Sequence, residues 1–111
     1  MKGGMGNLLK QAQKFTENLS KVQAELASKE VESSVGGGMV KVVANGHQEI
    51  LRIHIEKEVV DPNEVEMLED LLVAGVNTAL KESRELAEEE IKKATGNLIP
   101  NLPGGLGFPG M

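Results

Sequence analysis

Residues 39–56 read "MVKVVANGHQEILRIHIE", two short runs of β-forming residues on either side of Asn45-Gly46. Asn-Gly between alternating apolar residues is the strongest short-range signal for a β-hairpin. Read as a two-residue loop, it sets Val40 opposite Leu51. Val40, Val42 and Ala44 then share a face with Leu51, Ile53 and Ile55. The other face holds Met39, Lys41, Val43, Ile50, Arg52 and His54, a mixed set suited to contact with water. One apolar face and one mixed face describe a sheet covered on one side only.

Upstream, "KEVESSV" (29–35) alternates Val31, Ser33 and Val35 with polar neighbours, the pattern of a further half-buried strand. Gly36-Gly37-Gly38 breaks the chain before the hairpin. Downstream, Asp61-Pro62-Asn63 reads as a turn and a helix start. From Glu64 to about Ala94 the chain is a long helix of two characters, stopped by Gly96. "VEMLEDLLVAGVNTAL" is apolar around most of its circumference, whereas "KESRELAEEEIKKA" is mostly charged.

The first helix lies before the sheet. Gly3, Gly4 and Gly6 predict a loose start, with Asn7 as N-cap. Leu8, Ala12, Phe15, Leu19, Val22 and Leu26 then recur at alternating steps of four and three, an amphipathic stripe. The expected fold class is therefore α+β: a helix, a three-stranded antiparallel sheet and a long helix, in one domain over residues 1–96. Residues 97–111 hold three prolines, four glycines and no charge, and are expected to form a flexible tail.

Charge is divided along the chain. Residues 1–29 carry five lysines against Glu17 and Glu25, a net of +3. Residues 30–95 carry seven basic and fifteen acidic side chains, a net of −8, so the chain totals −5. Lys10, Lys14, Glu17 and Lys21 fall at steps of four, three and four, opposite the apolar stripe. Two accounts fit that face: a solubilising surface, or a surface that meets the phosphates of a duplex. A local positive face can work on an acidic protein, because salt screens charges beyond about 8–10 Å. With only two aromatic residues, Phe15 and Phe108, there is almost nothing on which single-stranded bases could stack.

Catalytic and metal-binding chemistry find little support. There is no cysteine, which removes thiolate zinc sites, disulfides and a cysteine nucleophile. His47 and His54 are an odd step apart, which tends to place them on opposite sheet faces and argues against a shared metal. Glu66 with Asp70, and the run Glu88–Glu90, read as solvated helix faces rather than paired catalytic carboxylates. "GGGMVKV" lacks the spacing and the Lys-Ser/Thr ending of a phosphate loop. No enzyme, cofactor, metal or small-molecule substrate is expected. No signal peptide or membrane-spanning run is evident either, so a soluble cytoplasmic protein is the expectation.

A sheet of three strands and one short helix cannot cover both the stripe and the apolar half of the long helix. A second copy is the simplest cover, with Leu68, Leu72, Val76 and Leu80 at the interface. The charged second half of the long helix would then project from the body.

With these elements in place, "GNLLKQAQK" (6–14), "GGGMVKVVANGHQEILRIHIE" (36–56), "MLEDLLVAGVNTAL" (67–80) and the Gly/Pro/Leu-rich tail resemble the YbaB/EbfC family of bacterial nucleoid-associated proteins. The resemblance implies a tweezer-like homodimer with protruding helices. It also implies largely non-specific binding to double-stranded DNA that alters its conformation, a nucleoid location and a possible part in gene regulation. The family's motifs place Lys10, Lys41, Asn45 and Gly46 on this chain. Helical or strand position alone adds Lys14, Lys21, Arg52, Lys81, Arg84, Lys92 and Lys93 as candidate DNA contacts. The competing expectation is a protein-interaction module that grips a protein partner with its projecting helices and tail.

Overall fold

The computed structural model describes residues 2–96, so the expectation for residues 97–111 lies outside the described residues. The order is α1 (Lys2–Leu26), β1 (Glu30–Val35), β2 (Val40–Asn45), β3 (Ile50–Ile55), a short 3-10 turn (Lys57–Val59) and α2 (Val65–Thr95). The three strands form one antiparallel sheet in the order β1-β2-β3. This is the α+β arrangement that the hairpin and its flanking periodicities predict. No helix among the described residues is long and apolar enough to cross a membrane.

The β1–β2 turn uses its three glycines directly. Gly36, Gly37 and Gly38 all adopt positive φ (63°, 66° and 91°), a region in which side-chain-bearing residues are strained. The register that follows pairs Val35 with Val40 and Ser33 with Val42.

The β2–β3 hairpin differs from the sequence expectation. Val40 pairs with Ile55 and Val42 with Ile53, a shift of four residues from the Val40–Leu51 pairing. The turn is one residue longer than Asn45-Gly46 alone. Asn45 N–H donates to the Glu49 carbonyl, Gln48 N–H donates to the Asn45 carbonyl, and Gln48 takes the left-handed φ of 63°. The Asn45 side chain favours this form, since its Oδ1 accepts from the N–H groups of both His47 (2.8 Å) and Glu49 (3.2 Å). An irregularity between Val43 and Ala44 takes up the remaining offset. The face assignment survives for Ile53 and Ile55, where the shift is even, but beyond the irregularity Ala44 pairs with Ile50, which the sequence reading set on the other face.

α2 lies across β1 and β2. Val40, Val42, Ala44 and Ala79 are fully buried, and Val31, Val35, Ile55, Leu68, Leu71, Leu72 and Val76 pack around them. Gly75 allows the close approach: a Cβ there would lie 2.9 Å from Cγ2 of Val42. At the same crossing, Ser33 Oγ donates to the Gly75 carbonyl at 2.7 Å.

The start of α1 also differs. The helix begins at Lys2 and runs through Gly6 and Asn7, so Asn7 is an interior residue rather than a cap. A Cβ at Gly6 would meet nothing within 4 Å, so this glycine answers to no packing demand. The second half of α2 does not stand alone beyond the sheet. It runs beside the C-terminal half of α1, where Val22, Leu26, Ser83 and Thr95 are buried. Lys29 pairs with Glu90 at 3.1 Å, and Asn18 Nδ2 reaches the Ala94 carbonyl at 3.5 Å.

Candidate nucleic-acid interface

The apolar stripe of α1 is covered unevenly. Val22 and Leu26 are buried, Phe15 and Leu19 half-buried, and Leu8 and Ala12 exposed. α1 is thus anchored at its C-terminal end and increasingly open toward its N-terminal end. Lys10, Lys14 and Lys21 lie on the side turned away from that stripe, and all three are exposed. None of them takes part in an ion pair among the described residues. Three unneutralised ammonium groups within a narrow arc of one helix form a local cationic edge, interrupted only by Glu17.

The other candidates divide by what they already touch. Arg52 is held by Glu30 at 2.8 Å, and that hydrogen bond raises its pKa above the ordinary guanidinium value. Lys81 approaches Glu85, and Lys93 approaches Glu89 and Glu90, each one helical turn away. Their charge is therefore partly answered within the chain. Lys41, Arg84 and Lys92 are exposed and join no ion pair among the described residues. Lys41 stands on the outer sheet face, directly across from His54. The structure thus groups Lys10, Lys14 and Lys21 on one helix face, while Lys41 and Arg52 sit on the sheet and the rest on α2.

Neither histidine is near a metal-like cluster, and no group of three His, Cys, Asp or Glu side chains among the described residues could hold an ion. His54 donates to Glu56 at 2.7 Å, and His47 Nε2 meets the Gln23 carbonyl near the end of α1. Glu90 accepts from Lys29, and this bond lowers its pKa below the ordinary carboxylate value.

One set of residues escaped the sequence reading. Ser83 Oγ, fully buried, donates to the Asn45 carbonyl and accepts from Gln48 N–H at 3.0 Å. Asn45 Nδ2 reaches the Ala27 carbonyl at 3.3 Å, and Gly46 N–H reaches the Leu26 carbonyl at 2.9 Å. These contacts join the β2–β3 turn to both helices. A signal for them was present: Leu72, Val76, Ala79 and Ser83 follow the helical step, so a serine occupies the buried stripe.

Several apolar side chains are also exposed. Ile53 pairs with fully buried Val42 and so faces the α2 side of the sheet, yet it is 43% exposed. Leu51 is 41% exposed, and Val73 on α2 is 61% exposed. α2 therefore leaves β3 uncovered. Of the interface candidates, Leu68, Leu72, Val76 and Leu80 are each partly buried within the protomer.

Known proteins place this arrangement. A nucleoid-associated protein of Clostridium novyi is 55% identical over 106 residues, covering 94% of this chain and 91% of its own. One from Ruminiclostridium cellulolyticum is 51% identical over 102 residues, covering 92% of this chain and 88% of its own. One from Bacillus thuringiensis is 49% identical over 109 residues, covering 96% and 98%. In three dimensions, the crystal structure of an uncharacterized Helicobacter pylori protein superposes with a TM-score of 0.59 at 23% identity. It covers 67% of this chain and 86% of its own, a likeness of fold. The profile of the YbaB/EbfC DNA-binding family matches residues 1–98, and the chain belongs to that family of bacterial nucleoid-associated proteins.

Proposed function

We propose that this protein works as a homodimer that grips duplex DNA through phosphate contacts from the lysine face of α1, and that it alters the path of the DNA it coats. The observation that carries this reading is the edge formed by Lys10, Lys14 and Lys21, exposed and joined to no carboxylate among the described residues. Family membership supports DNA as the partner. The nucleoid-associated names of the relatives support a nucleoid location. The exposed apolar side chains Leu51 and Ile53 on β3 and Val73 on α2 support association with a second copy, since exposed apolar surface is often covered in this way.

Two copies would offer six such lysines, and B-DNA presents one phosphate charge per about 1.7 Å of axis to receive them. Contacts of this kind fix the position of a protein on the duplex without reading bases. Conformational change of the DNA, and any effect on transcription, follow from two gripping helices acting on one duplex.

The test is affinity for two unrelated duplexes across a salt series, with Glu17→Lys beside the wild type. Both duplexes should bind with similar affinity and a steep, shared salt dependence. Glu17→Lys should bind more tightly, because it removes the carboxylate from the cationic edge without touching the apolar stripe. Absence of salt-dependent binding to either duplex would defeat the reading and favour a protein partner instead.

A further inference from the structure

We propose that the β2–β3 turn, residues 45–49, is a positioning clamp that fixes the angle at which α1 leaves the body, and so sets how many of Lys10, Lys14 and Lys21 meet phosphates together. The proposal rests on the reading that α1 meets DNA.

A helix ends with four carbonyls that its own backbone cannot satisfy. In α1 these belong to Gln23, Ala24, Glu25 and Leu26. Glu25 is answered locally by Ser28 and Leu26 by Lys29 N–H at 3.3 Å, while the turn adds a shorter bond from Gly46 N–H to Leu26 at 2.9 Å and answers Gln23 through His47 Nε2. Gly46 N–H also reaches the Lys29 carbonyl at 3.0 Å, and Asn45 Nδ2 reaches that of Ala27. The turn therefore caps α1 from another part of the chain, with directional bonds at successive points around the helix end. It is itself pinned to α2 by Ser83, through the Asn45 carbonyl and Gln48 N–H.

Gly46 is buried, and its φ is not positive, so its lack of a side chain serves proximity rather than a left-handed turn. A Cβ there would lie 2.6 Å from Leu26 Cδ2 and 2.8 Å from the Leu26 carbonyl oxygen, which is backbone. The remaining ties between α1 and α2 are apolar packing at Val22 and Leu26, which tolerates tilt better than directional bonds do, a long exposed hydrogen bond from Asn18 to the Ala94 carbonyl at 3.5 Å, and the Lys29–Glu90 ion pair just past the helix end.

The geometry amplifies any tilt. Lys10 lies sixteen residues from Leu26, about 24 Å along the axis, and Lys21 only about 7.5 Å. A tilt of about 10° would displace Lys10 by about 4 Å and Lys21 by about 1 Å relative to the body, and so relative to the lysine face of the second copy's α1, which the same duplex must also meet. Loss of the clamp thus reduces the number of simultaneous contacts and not merely the strength of each.

The absence of cysteine permits spin labels at Gln13→Cys and Ser34→Cys, with labelled protomers diluted in unlabelled ones. Distances are measured in the otherwise wild-type chain, in Gly46→Ala, which wedges the contact, and in exposed His47→Ala, which deletes one bond. The wild type should give one narrow distance population. Gly46→Ala should shift it and His47→Ala broaden it. Both variants should lose affinity for a duplex by about tenfold, with the salt slope falling by about one or more. The slope separates positioning from stability, because a smaller folded fraction lowers apparent affinity but leaves the slope unchanged. Unchanged distances in both variants, or altered distances with wild-type affinity and slope, would overturn the clamp. An affinity loss at constant slope would overturn it as well. A wild type that binds no duplex defeats the underlying reading of α1, an outcome distinct from wild-type binding with unmoved distances.

Discussion

Gly75 stands where α2 crosses the sheet, and the space that a side chain would need there is already taken by Val42 and Val35. A Cβ on Gly75 would lie 2.9 Å from Val42 and 3.5 Å from Val35. Replacing a helical glycine ordinarily gains up to about 1 kcal/mol of propensity, but overpacking a core costs about 1–3 kcal/mol. Gly75→Leu should therefore lose at least about 2 kcal/mol, read as a lower melting temperature. A melting temperature equal to wild type would mean that α2 is not seated as described. Asn45 and Gly46 carry a related lesson. Both were legible as a turn, yet the register lies four residues away from the two-residue reading. The determinant is the Asn45 side chain bonding to His47 and Glu49, together with Leu26 pressing on Gly46. The contact with Leu26 joins distant segments, so local pattern could not reveal it.

Between elements, the ion pair of Lys29 with Glu90 ties the end of α1 to α2. The Lys29 hydrogen bond lowers the Glu90 pKa in the folded state. The group therefore contributes stability above its unfolded pKa, and that contribution is lost as pH falls through the lowered folded value. Glu90→Gln should melt slightly below wild type at neutral pH, and the difference should vanish under acid conditions below the ordinary carboxylate range. A difference that is constant with pH would show that this pair does not tie the helices. The order and kind of the elements were readable because period-two and helical patterns are local. The beginning of α1 was not, because glycine propensity and a good capping residue at Asn7 gave way to a helix that continues to Lys2.

Among the described residues, Leu51 and Ile53 on β3 and Val73 on α2 are apolar and exposed. Ile53→Glu tests their use. In a monomer the change falls on a 43%-exposed site and should cost little. In a dimer it buries an unpaired charge, which is strongly destabilising. Sedimentation should give twice the chain mass for wild type and a loss of association for the variant. A wild-type monomer, or a variant that dimerises normally, would place the contact elsewhere. Leu68, Leu72, Val76 and Leu80 read in the sequence as apolar surface in need of a second copy, but all four are partly buried within the protomer, and Leu68, Leu72 and Val76 pack against its own sheet core. The exposed β3 side chains were not legible, because their exposure depends on where α2 crosses the sheet.

If the lysine face of α1 meets phosphates, removing its three charges must show in the salt dependence of DNA binding. Each lost phosphate contact lowers the slope of log affinity against log salt by about one. The decisive measurement is a salt series on the triple variant Lys10→Ala, Lys14→Ala, Lys21→Ala, beside the wild type and with its fold and dimer state checked. The triple variant should weaken alike on two unrelated duplexes and lose several units of slope. Wild-type affinity and slope in a folded, dimeric triple variant would contradict the phosphate contact and leave α1 a solvated face.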